Sequence, residues 1–110
     1  QWANLAGASL ENANLGLANL YKANLQGADL RGANLTGAML GEANLSNANL
    51  EGARLIVVNL SRANLTGANL KGVKLHEAIL SGADLTDVEM TDAQICGTRM
   101  PAGNMVHKDC

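Results

Sequence analysis

The stretch YKANLQGADLRGANLTGAMLGEANLSNANL, residues 21–50, has a leucine at every fifth position. The same period covers almost the whole chain: from Leu5 the repeat centres are leucine up to Leu85, followed by Met90, Ile95 and Met100. The residue two positions before each centre is alanine except at Val58, Val73, Val88 and Thr98. Such regular internal repetition is typical of a repeat architecture.

A period of five fits neither a uniform helix nor a single long strand. Five residues advance an α-helix by about 500°, so successive leucines would spread around its axis. In an extended strand, side chains alternate between faces, and an odd period sends successive leucines to opposite faces. The pattern fits a very short strand followed by a turn. Alanine and leucine then point inwards, the residue between them points outwards, and the last two residues form a corner.

The corner residues support this interpretation. The second residue after each centre is often Gly, Asn or Asp: Gly at 7, 27, 32, 37, 52, 67, 72, 82 and 97, Asn at 12 and 47, and Asp at 87 and 92. These residue types tolerate tight turns and left-handed backbone. A chain that turns so regularly forms a solenoid, in which each coil is hydrogen-bonded to the next about 4.8 Å away.

The Ala-(Asn/Asp)-Leu-X-X motif over residues 3–100 resembles that of the pentapeptide repeat family. The resemblance implies an all-β fold, a right-handed quadrilateral parallel β-helix (solenoid) with four pentapeptides in each square coil. The repeats would then give about five coils and a rod about 24 Å long. We expect residues 1–100 to form the β-helix and residues 101–110, after the break at Pro101, to form a short C-terminal capping tail.

The outward residue between alanine and leucine is mostly asparagine, which we interpret as structural because its amide can bond to the turn backbone and along stacked ladders. The N-terminal end is thinly covered, since only Gln1 and Trp2 precede the first repeat. We expect a preceding segment, a partner subunit or end-to-end association of rods to cover it. Because the chain lacks an initiator methionine, we also expect an upstream segment that either was removed or is not included in this sequence.

Composition argues against several classes of function. The formal net charge is −2, which favours neither nucleic acid nor an acidic membrane surface as a partner. The longest apolar run, residues 55–58, is far too short for membrane insertion. No Ser–His–Asp or Cys–His arrangement is evident, the glycines are corner residues, and a filled solenoid leaves no internal substrate cavity. We therefore predict no enzyme, no catalytic residues and no cofactor.

Two cysteines lie near the C-terminus, and a Cys96–Cys110 disulfide would close a loop of about 15 residues, worth about 3 kcal/mol. Such a bridge implies an oxidising compartment. There is an alternative: on a coil of twenty residues His76 stacks beneath Cys96. With His107 and Cys110 on the tail, these side chains could form a zinc site. The absence of typical zinc-ligand spacing weighs against the metal.

A few outward positions are apolar. With twenty residues per coil, Leu17 and Val57 occupy one column beside a corner, and Met39 and Ile79 occupy the adjacent column. Two further apolar residues, Ile56 and Tyr21, lie near them. A contiguous exposed apolar cluster is typical of a contact surface, whereas scattered apolar residues need no explanation.

The resemblance leads to two functional hypotheses. The ending TRMPAG, residues 98–103, resembles that of short pentapeptide repeat proteins of cyanobacteria and of the plant thylakoid lumen. The first hypothesis is a non-enzymatic structural or protein-interaction module with an unidentified protein partner. The protein would then lie in the thylakoid lumen or periplasm if the cysteines are bridged, and in the cytoplasm otherwise.

The second hypothesis is a DNA-mimicking protein that binds gyrase, of the quinolone-resistance type. Rods of that type are longer, strongly acidic and often centred on Phe, with a dimerising C-terminal helix. The net charge of −2, the absence of Phe and the interruption at Pro101 all depart from that pattern.

Overall fold

The computed structural model describes residues 2–106 of the chain. Two short strands, β1 (Thr98–Arg99) and β2 (Met105–Val106), pair antiparallel, with Arg99 opposite Met105. The remaining pairing consists of single parallel bridges between residues twenty apart, from Asn4 with Asn24 to Ile79 with Arg99. One coil therefore takes twenty residues, or four pentapeptides, and residues 2–106 contain no helix.

Each parallel bridge is held by two backbone hydrogen bonds. The N–H of Asn24 donates to the carbonyl of Ala3 at 2.9 Å, and the N–H of Leu5 donates to the carbonyl of Asn24 at 2.7 Å. The same pattern recurs along the rod with distances close to these. The outward residue of each repeat from Asn24 to Ile79 thus connects its coil to both neighbouring coils, which fixes the register from coil to coil.

The corners are tight turns with a left-handed residue. The N–H of the repeat alanine donates to the carbonyl of the leucine three residues earlier, as Ala8 does to Leu5 at 3.0 Å. The second corner residue has φ between 55° and 72°, which is the conformation of a type II turn. Glycine adopts this conformation without strain, but ten of these corners carry other residues. Among them are Leu17 and Val57, with φ of 61° and 57°.

The core is a continuous column of leucine and alanine along the rod axis. Every repeat leucine from Leu25 to Leu80 is buried, as are Val58 and Val73, which replace alanine. The inward residues are only half-buried towards both ends, at Leu5, Leu10, Leu15, Leu85, Met90, Ile95 and Met100. The predicted end-to-end association would use the half-buried leucines of the N-terminal coil, and it stays a prediction.

The outward asparagines stabilise the corners. The Oδ1 of Asn44 accepts a hydrogen bond from the backbone N–H of Ser46 at 3.0 Å and another from its hydroxyl at 2.7 Å. Equivalent bonds to the backbone N–H two residues on are made by Asn4, Asn14, Asn19, Asn24, Asp29, Asn34, Asn49, Asn59, Asn64, Asn69 and Asp84. These Asx-type bonds agree with a structural role for the outward amides.

The chain leaves the repeat pattern through a hairpin. The N–H of Gly97 donates to the carbonyl of Val106 at 2.7 Å, so β2 continues the stack beyond the last repeat. Residues 107–110 of the predicted capping tail lie outside the described residues. A helix long and apolar enough to cross a membrane is not found in residues 2–106.

Candidate interaction surface

One side of the rod, which we call the mixed face, carries most of the predicted apolar patch. Its outward side chains form three columns because residues twenty apart are stacked. The central column is Asn19, Met39, Asn59, Ile79 and Arg99. One flanking column is Leu17, Gly37, Val57, Glu77 and Gly97. The other flanking column is Tyr21, Gly41, Ser61, Ser81 and Pro101.

The predicted patch residues on the mixed face are exposed. The exposed fraction is 81% for Leu17, 55% for Val57, 46% for Met39, and 39% for both Tyr21 and Ile79. These values show that the five side chains present apolar surface to solvent and do not fold back into the rod.

Ile56 differs from the rest of the predicted patch. It is the first residue of its corner, precedes Val57, and is half-buried. In contrast, Met105 is 45% exposed, and its pairing with Arg99 places it at the end of the central column. The sequence did not indicate Met105 because the repeat register is lost at Pro101.

The other three faces have a different composition. Their central columns hold only polar or charged residues in the described part of the chain. These are residues 4, 24, 44, 64 and 84, residues 9, 29, 49, 69 and 89, and residues 14, 34, 54, 74 and 94. Apolar side chains in a central column are therefore confined to the mixed face.

The apolar residues interrupt the pattern of turn-stabilising bonds. In the central column, the Oδ1 atoms of Asn19 and Asn59 accept from the backbone N–H two residues on, at 3.2 and 2.9 Å. Met39 and Ile79 have no side-chain acceptor for that N–H. At positions 39 and 79 an exposed apolar side chain thus stands where asparagine would form a local hydrogen bond.

Two glycines on the mixed face leave room for large side chains of the preceding coil. A Cβ on Gly37 would lie 2.7 Å from Cδ2 of Leu17, and a Cβ on Gly41 would lie 3.2 Å from Cδ1 of Tyr21. Both large side chains therefore lie over the glycine of the next coil. As a result, the Leu17 and Tyr21 side chains extend to either side of Met39.

Two open grooves border the mixed face. The first has a volume of about 470 Å³ and is lined by Asn19, Tyr21, Met39, Gly41, Glu42, Asn59, Ser61 and Arg62. The second has a volume of about 510 Å³ and is lined by His76, Glu77, Ala78, Ile79, Cys96, Gly97, Arg99 and Met105. Both lie on the outside of the rod, beside Met39 and Ile79 respectively.

An aromatic and charged cluster lies at the N-terminal end of the mixed face. The rings of Trp2 and Tyr21 meet edge to face, with centroids 5.5 Å apart. The Lys22 ammonium lies 5.3 Å from the Trp2 ring centre and 5.6 Å from that of Tyr21. The Tyr21 hydroxyl donates to Oε2 of Glu42 at 2.8 Å, and this bond raises the pKa of Tyr21. Positions 2, 22 and 42 are twenty apart, so the coil length alone would have indicated part of this cluster.

A second charged cluster lies on the opposite face, at the corner that follows Asp29. The guanidinium of Arg31 donates to both carboxylate oxygens of Asp29, at 2.8 and 2.7 Å, and lies 3.6 Å from Glu11. These bonds lower the pKa of Asp29 to about 2. The cluster connects two consecutive coils at their surface, and we interpret it as structural.

The predicted disulfide and the alternative zinc site are only partly covered by the described residues. His76 and Cys96 line the same groove, and Nε2 of His76 lies 3.0 Å from Oε1 of Gln94. His107 and Cys110 lie outside the described residues, so both sites stay predictions. Within residues 2–106, no cluster of three or more His, Cys, Asp or Glu side chains is arranged to hold a metal ion.

Comparison with known proteins agrees with this architecture. The family model for pentapeptide repeats matches with eight copies, over residues 1–37, 43–82 and 63–100. A pentapeptide repeat protein from the thylakoid lumen of Arabidopsis thaliana has a similar structure, with a TM-score of 0.63 and 32% identity. That match covers 87% of this chain and 60% of that chain. Among curated proteins, no significant sequence match is found.

Two further structures are similar. Rfr23, a pentapeptide repeat protein from the cyanobacterium Cyanothece 51142, is 39% identical over 81% of this chain and 62% of that chain, with a TM-score of 0.44. QnrB1, a plasmid-mediated fluoroquinolone resistance protein, has a TM-score of 0.65 at 20% identity, over 88% of this chain and 44% of that chain. At that identity the likeness concerns the fold alone. The chain thus spans about three fifths of the thylakoid-lumen protein and of Rfr23.

Proposed function

The chain belongs to the pentapeptide repeat family, and we propose that it is a non-enzymatic structural and protein-interaction module whose contact surface is the mixed face. Proteins of this family fold as right-handed quadrilateral β-helices, in agreement with the twenty-residue coil. The filled rod supports binding on the outside rather than chemistry in an interior cavity.

The observation that carries the proposal is that, within residues 2–106, the exposed large apolar side chains lie on or beside one face. Met39 and Ile79 occupy central positions where the other faces present polar or charged groups. Contiguous exposed apolar surface on a soluble rod favours association with another protein. The same surface would weaken solubility if it stayed uncovered.

Backbone conformation gives an independent argument. Val57 has φ of 57° and Leu17 has φ of 61°, whereas Gly37 and Gly97 occupy the equivalent corners of the same column. A non-glycine residue in this region costs about 1–2 kcal/mol, and a β-branched residue is especially unfavourable there. Among the ten non-glycine residues with this φ in residues 2–106, Val57 is the only β-branched one, so we infer that its exposed side chain serves a contact.

A photo-cross-linking experiment tests this proposal. A benzoylphenylalanine residue at position 39 should form adducts with protein in an extract of the source organism. The matched control carries the same residue at position 64, which is exposed in the central column of another face. Adducts at position 39 and few at position 64 are expected. Equal yields at the two positions, or none at either, would contradict the mixed face as the contact surface.

We also propose the finer organisation of the chain. Residues 1–100 form about five coils, and residues 101–110 cap the last one. The bridges from Asn4 to Arg99 and the β1–β2 hairpin support this division.

The proposed compartment is the thylakoid lumen or the periplasm. The similar structure of a thylakoid-lumen protein supports this location, and a Cys96–Cys110 bridge would require an oxidising compartment. Mass spectrometry of alkylated, non-reduced protein should find neither cysteine alkylated, because both are held in the disulfide. Alkylation of both cysteines would instead favour the cytoplasm.

The alternative of a DNA-mimicking gyrase binder receives no specific support. Mimicry of DNA requires a continuous negative field, and no outward column in residues 2–106 is acidic throughout. Arg54 and Lys74 are stacked in one central column, which interrupts any such field.

A further inference from the structure

We propose that the partner of the mixed face is a second copy of this chain, with the two rods packed antiparallel about a two-fold axis at Asn59. The inference rests on the proposed function, because it names the occupant of the same surface. In a two-fold interface the same patch occurs on both subunits and must be complementary to itself. The mixed face meets this requirement position by position.

The geometry follows from the stacking of residues twenty apart. Each coil contributes one row of three outward residues to the mixed face. A two-fold axis that lies across the Asn59 row reverses the rod direction and keeps each column opposite itself. The Met39 row then faces the Ile79 row of the second copy, and the Asn19 row faces the Arg99 row.

The central column is complementary in this arrangement. Met39 packs against Ile79 of the second copy, and symmetry makes this apolar contact twice. The two Asn59 side chains meet at the axis, where each amide can donate and accept a hydrogen bond. Asn19 faces Arg99 of the second copy, whose guanidinium can donate to the amide oxygen.

The Leu17 column brings its larger side chains together across the axis. Val57 meets its own copy at the axis, which gives the exposed and strained valine an apolar contact. Leu17 faces Gly97 of the second copy, and Glu77 faces Gly37. Within each copy Leu17 lies over Gly37 and the Glu77 methylenes lie over Gly97, so Leu17 packs against the Glu77 side chain of the second copy.

The Tyr21 column places one large side chain opposite small ones. Tyr21 faces Pro101 of the second copy, and Gly41 faces Ser81. The two Ser61 hydroxyls meet at the axis. Because the Tyr21 ring lies over Gly41 of its own chain, it faces both Pro101 and Ser81 of the second copy.

Charge selects this register over the nearest alternatives. An antiparallel dimer centred on the Ile79 row would place Glu77 opposite Glu77, and a parallel dimer would place Arg99 opposite Arg99. Directly opposed like charges are unfavourable. In the proposed register Glu77 faces Gly37 and Arg99 faces Asn19, and neither partner is charged. The two Arg62 side chains also oppose each other, but they lie exposed at the rim, where solvent screens their repulsion, and Glu42 of each copy is one coil away.

The area suits a reversible dimer. Five rows at the strand spacing are about 24 Å long, and the narrowest extent of the molecule is 23 Å. Two such faces bury about 1,100 Å² in total, which is near the lower limit of about 1,000 Å² for a specific interface. We therefore expect a monomer–dimer equilibrium rather than an obligate dimer.

Sedimentation velocity over a range of protein concentrations tests the dimer. The parent protein should shift from monomer to dimer as its concentration rises. Met39→Asn and Ile79→Asn restore the repeat motif, so neither variant puts folding at risk. Each should raise the dissociation constant at least tenfold, because symmetry removes the contact twice. The matched control, Asn64→Met, places a methionine on another face and should leave the equilibrium unchanged.

Cross-linking of the purified protein tests the register. Benzoylphenylalanine at position 39 should link to the tryptic peptide that contains Ile79. A link between two copies of the peptide around position 39 would indicate the parallel arrangement and overturn the proposed one. A monomer at every concentration would overturn the dimer itself. That result would leave the mixed face as a surface for a different protein, which the extract experiment decides separately.

Discussion

Replacing Leu50 with alanine should remove a large part of the stability of the rod. The Leu50 side chain is fully buried, and Leu30 and Leu70 lie in the coils before and after it. Removal of a buried leucine costs about 3–5 kcal/mol when the cavity cannot close. Closure is opposed here because the N–H of Leu50 is bonded to Asn69 at 2.8 Å, and the N–H of Leu30 is bonded to Asn49 at 2.7 Å. These bonds hold the coils at the strand spacing.

The loss caused by Leu50→Ala should be large relative to the total free energy of unfolding. At about 0.05–0.15 kcal/mol per residue, a chain of 110 residues has a free energy of unfolding of about 5–16 kcal/mol. Leu50→Ala would therefore remove between a fifth and all of it. The matched control is Leu10→Ala. Because Leu10 is half-buried near the end of the rod, its loss should cost about half as much.

Equilibrium urea unfolding, followed by far-ultraviolet circular dichroism, measures both variants. The expected result is a lower midpoint for Leu50→Ala with a similar slope, and a smaller shift for Leu10→Ala. A loss below about 1.5 kcal/mol for Leu50→Ala would mean that the coils collapse around the cavity. Equal losses for the two variants would refute the continuous axial core.

Three further predictions concern surface groups. The pKa of Asp29, about 2 in the folded chain, lies below its ordinary value of 3.8, so its contribution to stability is complete above about pH 4 and is lost as pH falls through 2. Asp29→Asn should therefore lose less stability than the parent between pH 4 and 2, and parallel profiles would argue against the Arg31 contact. Tyr21 is the only tyrosine, so its ultraviolet titration should have a midpoint above 10.0 that Glu42→Gln lowers; an unchanged midpoint would exclude the hydrogen bond. Asn64→Ala removes the acceptor for the N–H and hydroxyl of the threonine two residues on, at 3.0 and 2.7 Å. It should cost about 1 kcal/mol in urea unfolding, and no loss would count against the Asx bonds.

The candidate site was predictable only in part. The sequence identified Leu17, Met39, Val57 and Ile79 because apolar residues stood at outward positions of the repeat. Their arrangement as a single surface depended on a twenty-residue coil, which the resemblance supplied. Trp2 was not identified because it precedes the first repeat, and its place beside Lys22 follows only from the coil length of twenty residues.

The sequence by itself determined the local structure of each repeat. Small and branched apolar residues two apart must share the inside of a short strand, and frequent glycine at the second corner position requires a turn with positive φ. These rules act within five residues, and they do not fix how many repeats close a coil. Hydrogen bonds between residues twenty apart decided that, because backbone groups must find partners in the next coil. The same bonds hold Val57 in a conformation that its own side chain disfavours, and they bring Met39 and Ile79 into one column.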